Sequence, residues 1–208
     1  MTSGPPPLRD PAEVARRRAM LRAPRTAPLA RYAAGLRGSG RVVPDLDPMD
    51  GGTAARLLIL MEKPGPATDP SRGGSGFVSF DNGGGTAAAG RRFLGEAGID
   101  RGAVAVWNTS PWWNGTIRFT PAERRAGLTV LPGFLDLMPN LRAAICVGRQ
   151  AERAAGALEE RGLAVFASAH PSPQVRAAAR ARWDEIPEVW RRAWWAANDA
   201  GPADPIRR

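Results

Sequence analysis

Four short apolar runs punctuate the chain: Leu57-Leu58-Ile59-Leu60, Val104-Ala105-Val106-Trp107, Ala143-Ala144-Ile145-Cys146-Val147 and Leu163-Ala164-Val165-Phe166. None alternates strictly between apolar and polar residues, which is the pattern of strands buried on both faces of a parallel sheet. The stretches between them carry helical signals. Residues 86–97 predict one helix. A second opens at Thr120-Pro121-Ala122-Glu123, where a capping threonine, proline at the first helical position and glutamate three residues on make a capping box. Residues 149–161 predict a third. This alternation predicts an α/β fold, a three-layer α/β/α sandwich around a four-stranded, mainly parallel sheet, whose ligands gather at the carboxyl ends of the strands.

The flanks are helical. Residues 1–10, rich in Pro and Gly at the start, are expected to be a disordered tail, and residues 11–208 one domain. An Arg-rich helix is predicted over 11–21. A second, over 29–36, ends at Gly38-Ser39-Gly40, and residues 42–52 read as a Pro/Asp/Gly connector. In the last segment, 187–198, Trp190 and Trp194 share one helix face by their spacing, a docking surface for the core.

Charge narrows the class of partner. The chain has 29 Lys and Arg against 20 Asp and Glu, a formal net charge of +9, which points to a polyanion. Nearly all of it is arginine, since Lys63 is the one lysine, and a GC-rich codon bias explains this as well as phosphate binding does. Cys146 is the only cysteine, so no intrachain disulfide or four-cysteine cluster can form within the chain, and no cofactor or metal is expected. The amino terminus lacks the apolar stretch of a signal peptide, and no run approaches about 20 apolar residues. A monomeric cytoplasmic protein with no membrane association is the expectation.

Chemistry concentrates directly after the apolar runs. The first is followed by Met61-Glu62-Lys63-Pro64-Gly65, the second by Asn108-Thr109-Ser110, the third by Gly148-Arg149-Gln150 and the fourth by Ser168-Ala169-His170-Pro171-Ser172-Pro173. A glutamate, an asparagine and the single histidine thus fall at one rim of the expected sheet. Each alone has an ordinary explanation: a turn-forming Asn, a satisfied structural His, a Glu-Lys-Pro-Gly turn.

Taken together, in this order, the three motifs resemble the uracil-DNA glycosylase superfamily over roughly residues 47–182. The first motif is similar to the Gly-Glu-Ala-Pro-Gly of that family's iron-sulfur branches, and His170-Pro171-Ser172-Pro173 is similar to its closing motif. The resemblance implies excision of a deaminated base from single- or double-stranded DNA. It makes Glu62 and His170 the catalytic pair and Asn108 the reader of uracil. It also places an aromatic beneath the base within Gly76-Phe77-Val78-Ser79-Phe80-Asp81-Asn82, with Phe77 the first candidate and Phe80 the second, either of which could equally be core. Asn82 and Gly65 fall at the pocket. Lys63, Ser172, Gln174, Arg176 and Arg180 are the implied DNA contacts, with Arg182 beside them, and Gln174-Val175-Arg176 should enter the minor groove.

Several positions depart from the pattern. The missing cysteines imply a cluster-free branch, Met61 and Lys63 replace the usual Gly and Ala, and Gln174 stands where leucine often inserts into DNA. Gly65 is small where some branches carry a thymine-excluding Tyr, which leaves thymine rejection open, and a roomy pocket would admit xanthine or hypoxanthine. Lys63 also raises a Schiff-base lyase. A catalytically silent DNA-binding relative, and a serine hydrolase using Ser79 or Ser172 with His170, are the competing readings. The latter lacks a Gly-x-Ser-x-Gly elbow.

Overall fold

A computed structural model describes residues 7–37 and 42–199. Its elements run, in order, through α1 (Pro11–Met20), α2 (Ala27–Leu36), β1 (Asp45–Leu46), β2 (Leu57–Met61), β3 (Phe77–Val78), α3 (Gly85–Glu96), β4 (Val104–Asn108), α4 (Pro121–Leu135), β5 (Ala143–Val147), α5 (Ala155–Glu159), β6 (Ala164–Ser168), α6 (Pro173–Ala178), α7 (Arg180–Asp184) and α8 (Ile186–Asp199). The apolar runs form a four-stranded, wholly parallel sheet in the order β4-β2-β5-β6. Every residue of β2, β4 and β5 is buried, as strands covered on both faces must be. β6 differs: it is an edge strand, and four of its five residues keep some exposure, so it is less deeply covered than its apolar run suggested.

Register places the sheet between two helical layers. Trp107 of β4 stacks on Phe134 of α4, with ring centroids 5.0 Å apart. Its neighbour Asn108, pointing the other way along the pleat, pairs with Met61 of β2, and Val147 of β5 pairs with Ser168 of β6, each one step past the Leu60–Cys146 pair that joins the two halves of the sheet. Ser168 Oγ accepts a hydrogen bond from Trp190 Nε1 of α8 at 3.0 Å, so α8 covers the face opposite α4. Phe93 of α3 packs edge-on to both Trp190 and Trp183. The three-layer sandwich is thereby complete, and Trp190 and Trp194 dock on the core as their spacing required.

Local signals account for the helix starts. Thr120 and Glu123 form the expected capping box at α4. The helix expected over 149–161 is broken instead into a 3-10 turn, Ala151–Ala154, and the short α5. The Gly148-Arg149-Gln150 turn has other work: Gly148 takes φ 90°, and the Gln150 N–H is bonded to a side chain of the site. Residues 7–10 are also not a disordered tail. Pro7–Arg9 forms a 3-10 turn with Leu8 buried, and the Leu8 N–H reaches Asp81 O; residues 1–6 of the expected tail, and Gly38-Ser39-Gly40, lie outside the described residues.

The connector of residues 42–52 hides structure that apolar patterning could not show. β1 pairs in parallel with β3, Asp45 opposite Phe77. Beside this small sheet Arg17 of α1, only 3% exposed, donates to Asp47 Oδ2 at 2.5 Å and lies 2.9 Å from Asp81 Oδ2. Arg101 joins the same two carboxylates and Asp50, while Ser79 Oγ donates to Asp47 Oδ2. A buried charge survives only when opposite charges and hydrogen bonds replace the lost water. Removing one cation from this cluster strands the remaining carboxylates. Arg17→Met is therefore expected to cost about 3 kcal/mol of stability, read as a lower urea midpoint, whereas Arg16→Met, at an exposed ion pair with Glu13, should leave that midpoint nearly unchanged.

Candidate active site

Because the four strands end level, the residues just past them share one rim. A cavity of about 880 Å³ opens there, lined by Glu62, Asn108, Gly148 and His170 from the strand ends and by Val78 and Phe80 from the β3 segment. That volume falls in the range of small-molecule sites, about 300–1,000 Å³.

Asn108, the last residue of β4, is 3% exposed, and its Nδ2 is buried with no hydrogen-bond partner among the described residues. An amide donor left unpaired in a protein interior costs on the order of 1–3 kcal/mol. Asn108 is also one of the residues that line the cavity.

Glu62 is held by the neighbouring strand end. Its Oε1 accepts the Gln150 N–H at 3.0 Å. Gly148 leaves room for this: a Cβ at that position would stand 2.5 Å from Glu62 Oε1. Sequence patterning noted the Gly148-Arg149-Gln150 turn without assigning it a task. A glycine opening the turn beyond a buried strand, facing a carboxylate from the next strand, was the available signal.

His170 leaves the end of β6 through a turn in which the Ser172 N–H bonds back to His170 O at 2.8 Å. Trp190 anchors that end through Ser168. Burial pushes the imidazole down to about 4, so it is neutral at pH 7 and its one ring N–H is a donor.

The aromatic candidates separate. Phe80 lines the cavity, its ring stacked on Trp190 at 5.9 Å and pressed against Gly90 of α3, where no side chain would fit. Phe77, the first candidate, is 1% exposed and is not part of the cavity wall; the Arg18 guanidinium lies 5.9 Å from its ring. Alternation explains the exchange: Phe77 and Val78 are successive strand residues, and it is Val78 that faces the cavity. Asn82 lines the cavity but spends its amide on Phe77 O and its carbonyl on Ser75 Oγ, the loop-forming role that its residue type suggested. Gly65 borders open space, with nothing within 4 Å of a Cβ built on it.

Lys63, named above as a DNA contact, lines the cavity but turns its ammonium to partners within the chain. Its side chain is 4% exposed and its ammonium donates to Glu123 Oε1 at 2.5 Å, Asn114 Oδ1 at 2.6 Å and Arg118 O at 3.0 Å. All three protons are committed within the chain. Arg180 is likewise paired, with Asp184 on α7, though exposed. Arg176 lies over the Trp183 ring at 6.0 Å. Gln174 and Arg182 line the cavity and are exposed. Ser172 also borders it and caps α6 through the Val175 N–H. Ile117 and Phe119, which the sequence reading passed over, reach the cavity from the loop after β4. Two apolar residues in a polar loop were the signal.

The histidine prediction is direct because the chain has only one. Its Cε1–H proton resonance should titrate at about 4 rather than near the model-peptide value of about 6.5. Between these values the unfolded chain binds a proton that the folded chain does not, so this group's contribution to stability should fall as pH drops from about 6.5 toward 4. A midpoint near 6.5 would mean that His170 is solvated.

Among the described residues no helix is long and apolar enough to cross a membrane. Comparison with curated proteins finds no match. A family model described as the Uracil DNA glycosylase superfamily matches residues 48–194, which spans the four-stranded sheet, the cavity rim, α7 and the first part of α8. The chain belongs to the uracil-DNA glycosylase superfamily.

Proposed function

We propose that the protein hydrolyses the N-glycosidic bond of uracil turned out of DNA, leaving an abasic site. The observation that carries this reading is the buried, unpartnered amide of Asn108 on the cavity wall. Uracil presents O4 as acceptor next to N3–H as donor, and one carboxamide can satisfy both. Cytosine presents the reverse order and would leave Nδ2 facing another donor, a penalty large enough to discriminate. Burial of the base edge requires that it leave the duplex.

The remaining groups suit bond cleavage. As the base departs, negative charge gathers on O2, where a neutral His170 N–H can donate without having to lose a full charge first. Positive charge gathers on the sugar, and Glu62 is the carboxylate available to it. With Oε1 held by Gln150, its Oε2 takes no hydrogen bond among the described residues and is placed to stabilise the sugar or orient a water. Phe80 supplies an apolar wall for the base. Commitment of the Lys63 ammonium to Glu123 disfavours a Schiff base and supports a monofunctional glycosylase.

The open space at Gly65 favours a second reading on base range, in which hypoxanthine or xanthine also enters. Released bases from oligonucleotides containing U, T, hypoxanthine or xanthine, in single and double strands, decide between them. Uracil release that persists in EDTA is expected; no release of any of these bases would leave a silent DNA-binding relative.

Glu62→Gln and His170→Ala should each slow single-turnover release by about 100-fold or more with DNA affinity little changed. Gly148→Ala should lower the rate through Glu62, since the new Cβ displaces its carboxylate. Asn108→Asp keeps acceptors and loses the donor. It should lose uracil excision and gain cytosine excision, the pairing that carboxylates make with the cytosine amine, unless desolvation protonates it. Unchanged uracil excision by both Asn108→Asp and Asn108→Ala would remove Asn108 from the base pocket.

A further inference from the structure

The loop after β4 carries a feature that base excision chemistry does not use. Ile117 is 80% exposed, the most exposed of the large hydrophobic side chains among the described residues. A lone exposed aliphatic residue is ordinary on a protein surface and would carry nothing by itself. This one lies on the wall of the cavity. It also sits in a turn that is fastened on both sides from below. Lys63 Nζ donates to Asn114 Oδ1 on one flank and to Arg118 O on the other, and the buried Lys63–Glu123 pair ties that brace to the amino end of α4. Within the turn the Arg118 N–H bonds to Thr116 Oγ and the Thr116 N–H to Asn114 Oδ1, while Gly115 takes φ 83°. An apolar side chain is thus held in water at a fixed place beside the site, with the exposed Arg118 next to it.

Ile117, in the loop after β4, shares the cavity wall with Ser172 and Gln174, in the segment after β6. Turning a nucleotide out leaves a gap in the base stack, and an apolar side chain inserted there replaces the lost stacking. Gln174 is exposed but polar, and offers that gap less apolar surface than Ile117 does.

We propose that Ile117 is a wedge that enters the DNA base stack beside the extruded nucleotide, held in position by Lys63. The proposal rests on the cavity receiving a base turned out of DNA. Lys63 on this view acts as a positioning residue, its ammonium committed to Asn114, Arg118 and Glu123.

The test uses duplex DNA with 2-aminopurine next to a stable abasic analogue, whose emission rises when its stacking is broken and which requires no catalysis. The parent protein should raise the emission, Ile117→Ala should abolish most of the rise, and Ile117→Leu should restore it. Single-turnover uracil release by Ile117→Ala should fall about tenfold on duplex DNA and far less on single strands, where no stack has to be filled. Since the side chain is exposed, the alanine variant should keep the parental melting temperature. An equal rise with parent and Ile117→Ala, no rise with either, or equal losses on single and double strands would overturn the wedge. A rise that depends on Ile117, in a protein that releases none of the tested bases, would sustain the wedge while refuting the glycosylase reading.

Discussion

The site depends on one constraint: four parallel strands that end level. Met61 pairs with Asn108 and Val147 with Ser168, each one step past the Leu60–Cys146 pair, so the residues following them meet at one rim. A slip of one residue in β4 would turn Asn108 toward α4 and bring Trp107 to the cavity, because alternate strand residues face opposite layers. The Trp107–Phe134 stack on one side and the Trp190–Ser168 bond on the other resist that slip from both layers. Core packing and the lining of the cavity are therefore fixed by the same register.

Electrostatics at the rim follow from what burial removes. Desolvation keeps His170 uncharged, and the Glu123 pair takes the one nearby ammonium out of play. Glu62 is then the one carboxylate on the cavity wall among the described residues, where the exposed Arg149 and Arg182 are the guanidinium groups. A carboxylate there suits a transition state in which the sugar becomes cationic and the base anionic. The chain belongs to a superfamily of enzymes that remove bases from DNA, and this distribution of charge is what the proposed reaction asks of it.

Most of the sheet and the order of the three motifs were legible in the sequence because a fully buried parallel strand leaves an uninterrupted apolar run, and its end marks the rim. The capping box at Thr120 and the shared face of Trp190 and Trp194 were legible for the same reason: each signal is local. What escaped was set by tertiary contact. Phe77 and Phe80 are indistinguishable by residue type, and only the β1–β3 pairing decides which one faces the cavity. Asp47, Asp50 and Asp81 read as loop residues until Arg17 and Arg101 are seen to neutralise them. Lys63 looked like a phosphate contact because its acceptors lie more than fifty residues away.

That buried cluster also changes where the working domain begins. The family match starts at residue 48, yet Arg17 of α1 reaches Asp47 and Asp81, and Leu8 bonds to Asp81 O. Asp81 follows Phe80 directly, and Ser79, on its other side, donates to Asp47. The aromatic wall of the cavity is thus held from behind by an ion-pair cluster in which one cation, Arg17, comes from a helix outside the matched region and the other, Arg101, from within it. Loss of α1 would leave Asp47 and Asp81 short of a cation in a buried setting, and the segment that relaxes to hydrate them is the one carrying Phe80. In this chain the amino-terminal helix is part of the cavity's foundation, although none of its residues lines the cavity.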